Sequence, residues 1–397
     1  MSWPQVPIIR VADFNPSGPK GSVLAASEVA FVPMASVSED GTMRVGEHKA
    51  GSALGTGYSY FQSGDILVAK ITPCYENNKI SVACIDREHG FGSTEFHVVR
   101  PHKGELDARY LSYFLRQDAI RGLGQKRMTG SAGQRRVPRQ FLEQLQIPLP
   151  PLDEQRRIAA ILDQADALRR KRRAILEGVE TLKKSIFVDM FGDPSANPRG
   201  WPVLPLGELS LRFSDGPFGS NLKSEHYVES GIRVVRLQNI GVGEFKDRDT
   251  AFISAQHFST LKKHECLPGD VLIGTLGDPN LRACIQPQSI KVALNKADCV
   301  QMRCNPLKAT AEYVCSLLNS PSTEALAQSK IQGQTRLRIS MGRLRELRVP
   351  TPSLEQQQVF SELSLRLDTM KTKQLEFADK LDALFASLQH RAFRGEL

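Results

Sequence analysis

Ile147-Pro148-Leu149-Pro150-Pro151-Leu152-Asp153-Glu154-Gln155 runs into a long helical pattern, and so does Val349-Pro350-Thr351-Pro352-Ser353-Leu354-Glu355-Gln356-Gln357. Proline stops the preceding element and stiffens the start of the next one. Behind the first hinge, Ile161, Ala165, Leu168, Arg172, Ile175, Val179, Leu182 and Ile186 recur with heptad spacing. Behind the second, Leu363, Leu367, Met370, Gln374, Phe377, Leu381, Leu384 and Leu388 repeat it, with a polar residue at the matching place. Each pattern predicts a rod of roughly 57 Å, and pairing the two rods antiparallel would bury both seams. The alternative is two independent amphipathic helices, each on its own domain. Asp153 is expected to cap the first rod.

The rest of the chain repeats as well. Trp3-Pro4 returns as Trp201-Pro202, Gly64-Asp65-Ile66-Leu67 as Gly269-Asp270-Val271-Leu272, and Gly133-Gln134 with Arg136 as Gly333-Gln334 with Arg336. The order is kept while the offset drifts between 198 and 205, as small loop insertions would cause. Such a period marks a duplicated unit. Short strands are expected at 65–70 and 270–275, with a helix over 107–122 and its counterpart over 310–318. The fold class is therefore mixed α/β (α+β) for two globular parts, separated by an antiparallel coiled coil of two long helices. The divisions are 1–152 (first domain), 153–190 (central helix), 191–200 (linker), 201–354 (second domain), 355–390 (C-terminal helix) and 391–397 (tail).

Of 397 residues, 52 are Lys or Arg and 43 are Asp or Glu, for a net charge of +9. The charge is unevenly placed. Residues 121–139 hold Arg121, Lys126, Arg127, Arg135, Arg136 and Arg139 with no acid, and 329–348 hold Lys330, Arg336, Arg338, Arg343, Arg345 and Arg348 with Glu346 alone. Removing these two segments leaves the remainder near −2. Glycine-rich backbone carrying Arg and Gln suits a loop that enters a DNA groove, where Arg reads guanine and Gln reads adenine. Lys and backbone N–H groups suit phosphates. A solvated basic loop is the alternative, and its recurrence at one repeat position favours DNA. The candidate DNA contacts are Lys126, Arg127, Gln134, Arg135, Arg136, Arg139, Lys330, Gln334, Arg336 and Arg338. Asn221, Lys223 and Arg236 join them from a second loop, Ser214 to Lys223, and the strand after it. The nearest analogue of that region in the first repeat is Phe31-Val32-Pro33-Met34, with Lys20 before it and Arg44 after it. Arg169-Arg170-Lys171-Arg172-Arg173 is expected to be a solvated helix face or a partner contact, with phosphate tracking the lesser option.

Other function classes find no support. There is no Gly-x-x-x-x-Gly-Lys-Ser/Thr phosphate loop, no paired cysteine spacing for zinc and no Asn/Asp-Pro-Pro-aromatic element for amino-group methylation. Cys266 with His264 reads as a surface pair. No apolar run of ~18 residues suggests a membrane span. The start shows no signal-peptide pattern, and seven cysteines without a framework fit a reducing, cytoplasmic setting. No catalytic residue, metal site or cofactor is expected. A coiled-coil scaffold for acidic proteins and a self-contained nucleic-acid enzyme stand as rivals to a DNA-reading subunit.

The chain resembles the specificity subunits of type I restriction-modification enzymes. The likeness is carried by Gly133-Gln134, by Ile147 to Ile158 with its Pro-Leu-Pro-Pro-Leu-x-Glu-Gln core, by Phe187 to Pro194, by the Trp201-Pro202 restart and by Leu388 to Leu397. The second hinge is a weakened version, and the first repeat lacks the Leu206-Gly207-Glu208-Leu209 start. The resemblance implies that each globular part is a target recognition domain for one half of a split, asymmetric double-stranded DNA site. It implies that the helices set the gap between half-sites in a near-circular, pseudo-two-fold layout. Two adenine methyltransferase subunits using S-adenosylmethionine would dock on the helical regions, near Glu154, Gln155, Ile158, Gln356, Gln357 and Phe393. Motor-endonuclease subunits using ATP and magnesium would complete the assembly.

Overall fold

The computed structural model describes residues 3–19, 27–54, 57–131, 133–277, 279–328 and 337–397. Two compact units emerge, and they do not follow the repeat boundaries. Unit 1 comprises Met1–Ala174 with Leu375–Leu397, and unit 2 comprises Ile175–Gln374. Each unit thus contains one globular head, part of one long helix (Leu152–Phe191) and part of the other (Leu354–Ala392).

Duplication is explicit in the strand order. In unit 1 an antiparallel sheet runs Ala12–Phe14, Phe96–Pro101, Ile66–Ala69, Ile80–Val82. In unit 2 the same order is kept by Ser210–Ser214, Cys299–Cys304, Val271–Gly274 and Ala283–Ile285. A second sheet runs Glu47–Ala50, Glu28–Val32, Gly90–Gly92, Ser59–Phe61 in unit 1. Its counterpart, Phe252–Ile253, Ile232–Val235, Ala293–Asn295 and Glu265–Cys266, gains Tyr227–Val228 as an extra edge. Both second sheets hold one parallel pair, at equivalent places.

The matched Gly-Asp motifs build equivalent turns. Gly64 and Gly269 take φ of +93° and +85°, which glycine adopts without penalty. The turn aims each aspartate inward. Asp65 accepts a bidentate pair from Arg100 (2.7 Å each) and the Gln62 amide, while Asp270 accepts from Arg303, Gln301 and the Leu267 amide. A buried carboxylate held by charge-assisted donors stays ionised at little cost.

The two hinge motifs share one clamp. Gln155 is fully buried, donates to the carbonyls of Pro150 and Glu105 (2.9 Å each) and accepts from the Asp107 amide at 2.8 Å. Gln357 is also fully buried and does the same with Pro352, Lys308 and Thr310. Tyr110 and Tyr313 donate to the carbonyls of Pro148 and Pro350. One glutamine therefore ties the start of each long helix to its head, and the second hinge is not weakened in the part that matters.

Several expectations need correction. The helix expected over 107–122 is two, Ala108–Leu115 and Asp118–Arg127, because Gln117 leaves helical geometry to cap the second. The first long helix begins at Leu152, so Asp153 lies inside its first turn. The heptad seams are displaced. Ile158, Ala159 and Leu162 sink into the unit 1 core with Tyr110, Leu111 and Phe114, whereas Leu168 is exposed. In unit 2 Phe187, Phe191 and Phe360 cluster with Tyr313, leaving Ile175, Leu182 and Met370 exposed. Of the two seams, Val179 and Leu367 remain buried.

Within each unit the helix segments still meet antiparallel. In unit 1 Arg169 pairs with Asp382 and lies 4.2 Å from the Phe385 ring, Arg172 stacks on Phe377, and Arg173 reaches Asp382. In unit 2 Lys183 pairs with Asp368 and Lys371 with Glu180. The basic run Arg169 to Arg173 is thus largely engaged inside the chain, Arg169 and Arg170 also holding the buried Asp166.

Candidate nucleic-acid interface

The basic segment 121–139 is not a single loop. Arg121 to Arg127 finish a helix, and Arg139 opens another, Arg139–Gln144. Between them Thr129 and Arg136 exchange backbone hydrogen bonds at 3.0 and 2.8 Å and close a tight hairpin. Its foot is pinned to the sheet: Thr72 N–H donates to Arg135 and Val137 N–H to Lys70. Gly277 to Leu337 and Ile339 to Thr275 repeat these bonds in unit 2.

This places each candidate. Lys126, Arg127, Gln134 and Arg135 are exposed, and none forms a side-chain ion pair with a described residue. Arg136 is pulled aside by Glu95, donating from Nε (2.9 Å) and Nη2 (2.7 Å), with Nη1 on the Gln134 carbonyl. Arg139 pairs with Glu143, and Arg121 with Asp118 and the Glu76 carbonyl. In unit 2, Lys330, Gln334 and Arg336 lie outside the described residues. Arg338 is paired with Asp298 at 2.8 Å, and its guanidinium stands 5.8 Å from the Phe218 ring.

The repeat register also changes. Arg136 and Arg338 occupy equivalent bridges, opposite Ile71 and Leu276. Arg338, not Arg336, is therefore the partner of Arg136. One residue separates Gly133-Gln134 from its arginine, while three separate Gly333-Gln334 from Arg338.

The second loop approaches Arg338 through Phe218. Gly216 is required there, since a Cβ would sit 2.0 Å from the Lys296 backbone. Asn221 ends a 3-10 turn with its side chain exposed, and its carbonyl accepts from His257. Lys223 is exposed, 3.6 Å from Glu225. Arg236 is committed to Asp249, whose carboxyl is held below its usual range first by Gln238 and then by Arg236. Phe31 and Val32 match the strand Ile232–Val235, so the loop itself has another counterpart: Gly18-Pro19-Lys20-Gly21-Ser22 against Gly216-Pro217-Phe218-Gly219-Ser220. The 198-residue offset, the same as that of the Trp-Pro pair, was the available signal. Lys20 lies outside the described residues.

The residues expected to hold a partner divide. Gln155, Ile158 and Gln357 are fully buried in their own units, so their side chains serve the interior. Phe393 is half-buried against Tyr110 and Phe114. Glu154 is held by Arg157, and Gln356 by Ser353. Exposed apolar side chains stand elsewhere on the long helices: Leu168, Phe377 and Leu384 in unit 1, and Ile175, Leu182 and Met370 in unit 2.

His264 and Cys266 are both buried, correcting the surface reading. Among the described residues no cluster of three or more His, Cys, Asp or Glu could hold a metal ion. No described helix is long and apolar enough to cross a membrane.

His97 supports the hairpin from below. It is buried, and its Nε2 donates to the Val137 carbonyl at 2.9 Å. Burial depresses its pKa below the ordinary 6.5. The unfolded chain then binds the proton more readily, so stability from neutral His97 is complete above about pH 6.5 and is lost as pH falls below it. Unit 1 should therefore lose denaturant resistance between pH 7 and 5 more steeply than a His97→Gln variant. Identical slopes would remove this role.

Residues 30–180 match the family described as "Type I restriction modification DNA specificity domain". The type I EcoAI specificity subunit of Escherichia coli is 39% identical over 159 residues, 39% of this chain and 26% of that protein. Over residues 30–180 the chain is thus similar to the DNA specificity domain of type I restriction-modification systems. The matched segment spans about a quarter of the EcoAI and EcoEI subunits. The MjaVIII specificity subunit of Methanocaldococcus jannaschii aligns more widely, 23% identical over 69% of this chain and 67% of its own. Among solved structures, a chain from work titled on complex assembly and conformational transition of the type I R-M system has the same fold, with TM-score 0.60 at 21% identity, covering 100% of this chain and 98% of that one. The S subunit from M. genitalium also shares the fold, with TM-score 0.56 at 16% identity, covering 98% and 96%. The duplicated heads and long helices are therefore a fold shared with those two chains.

Proposed function

We propose that this chain is a type I specificity subunit that recognises a two-part, asymmetric double-stranded DNA site, one half per head, and has no catalytic activity of its own. The observation that carries the reading is that two basic segments are pinned to the sheets of the two units at equivalent bridges, Ile71 with Arg136 and Leu276 with Arg338. Exposed Lys126, Arg127, Gln134 and Arg135 supply the first half-site contacts, and Asn221, Lys223, Arg338 and the basic residues 330–336 the second. Arg136, Arg139 and Arg236 contribute from within their ion pairs. Phosphate contacts make such binding salt-sensitive, while base contacts discriminate.

The chain divides functionally into recognition domains at 1–152 and 201–354 and helices at 153–190 and 355–390, joined by 191–200 and ended by a tail at 391–397. A near-circular, pseudo-two-fold layout belongs to this reading and is supported by the matching sheets and hinge clamps. Two adenine methyltransferase subunits dock on the helices. The exposed apolar side chains there support this docking better than the buried hinge glutamines do. S-adenosylmethionine chemistry belongs to those subunits, and ATP and magnesium to motor-endonuclease subunits. A cytoplasmic location fits a DNA substrate and seven unpaired cysteines.

The test is to co-express the chain with its adjacent-gene methyltransferase and map methylated adenines across host DNA. Methylation confined to one two-part motif is expected. Methylation without a motif, or none, would remove the reading.

A further inference from the structure

Two carboxylates stand where a DNA-binding face would be expected to exclude them. Glu95 directly precedes the strand Phe96–Pro101, and Asp298 directly precedes its counterpart Cys299–Cys304. Each pairs with the arginine that bridges to its unit's sheet, Arg136 at 2.7 Å and Arg338 at 2.8 Å. The same juxtaposition was thus kept in both repeats, although one copy uses Glu and the other Asp. A negative charge beside phosphates weakens binding unless it serves a purpose, because like charges repel.

The geometry shows a purpose. Glu95 takes the Nε and Nη2 edge of Arg136, and the Gln134 carbonyl takes Nη1. Three of the five guanidinium N–H groups are used, and two remain. Both arginines keep substantial exposure, 42% and 48% of the side chain. Arg136, locked on one edge, is pre-oriented on the other, which removes rotamer freedom that a free arginine would lose on binding, while Asp298 restrains Arg338 through a single Nη2 ion-pair contact. Guanine offers O6 and N7 as a matched acceptor pair in the major groove.

We propose that Glu95 and Asp298 are positioning residues for base reading, each orienting its arginine so that the free N–H groups meet O6 and N7 of one guanine in that unit's half-site. The inference rests on the two-part DNA-reading function. It separates two roles within the hairpin: Arg136 and Arg338 read a base, and the unpaired Lys126, Arg127 and Arg135 supply the phosphate attraction. It also states that each half-site contains a G·C pair.

The experiment uses the complex of the full chain with its adjacent-gene methyltransferase. In Glu95→Gln, preference for guanine at one first-half position should fall about tenfold, with the second half unchanged. Asp298→Asn should do the converse. On the DNA side, 7-deazaguanine at that position removes N7 and should cost the wild-type complex several-fold, but nothing further in Arg136→Ala. That arm needs no altered carboxylate, so a misfolded variant cannot mask the answer. A half-site without a G·C pair, uniform loss at every position, or unchanged guanine preference in both carboxylate variants would overturn the proposal. A wild-type complex that methylates no two-part site overturns the functional reading as well. One that does so with guanine preference intact in the variants overturns this inference alone.

Discussion

Alanine at Lys126, Arg127 and Arg135 together should lower DNA affinity of the proposed complex with a methyltransferase at physiological salt by on the order of tenfold or more. These three side chains are exposed and free of ion pairs with described residues, so their charge is available to phosphates. At ~0.9 counterion per phosphate contact, the slope of log K against log salt should shrink by about 2–3. Binding measured by fluorescence anisotropy across a range of salt concentrations reads both quantities. Arg139 offers a control, since it is already paired with Glu143. Its replacement should change the slope much less. A slope unmoved by the triple change would show that the first hairpin does not touch the DNA backbone.

Replacing Gln155 by leucine should destabilise unit 1 by on the order of 3–5 kcal/mol, because buried polar groups left unpaired cost about 1–3 kcal/mol each. Three are at stake: the carbonyls of Pro150 and Glu105, and the amide of Asp107. Glutamate would fare no better, since it cannot donate to two carbonyls. The two tryptophans allow a clean measurement, because Trp3 lies against the unit 1 core and Trp201 belongs to unit 2. In a Trp201→Phe background, the fluorescence transition in denaturant should move to lower concentration for Gln155→Leu. A midpoint unchanged within error would show that the clamp is dispensable. The equivalent change at Gln357 should act on unit 2 instead.

How much of the fold was legible in the chain depends on how local the signal is. The duplication was readable, because a strand register or a tight turn needs particular residues close together: Gly64-Asp65, Gly269-Asp270 and the two Pro-rich hinges. The long helices were readable from their apolar spacing. Which face each helix buries was not. Leu168 and Ile175 satisfy a heptad, yet the head takes the neighbouring face through Ile158 and Leu162 in unit 1 and Phe187 in unit 2. Spacing reports that a face exists, and only the competing partners decide what covers it.

The candidate site divides along the same line. Net charge and glycine content pointed to the hairpin segments, and the structure places Lys126, Arg127, Gln134 and Arg135 on an exposed surface of unit 1. The state of each arginine was hidden, because the carboxylates that hold Arg136 and Arg338 are 41 and 40 residues away in sequence. The equivalence of Arg136 with Arg338 was hidden too, since two extra residues in the second repeat displace Arg338 from the register suggested by Gly-Gln.

By itself, the sequence determined that this protein is a duplication, that two long helices come after two hinges, and that its excess positive charge lies in two segments. Those properties are set by neighbours along the chain. Tertiary structure alone decided that each head takes pieces of both helices, that hinge glutamines face inward, and that some arginines are tethered while others are free. Each of these is settled by groups far apart in sequence, where packing and charge pairing, not spacing, choose the partner.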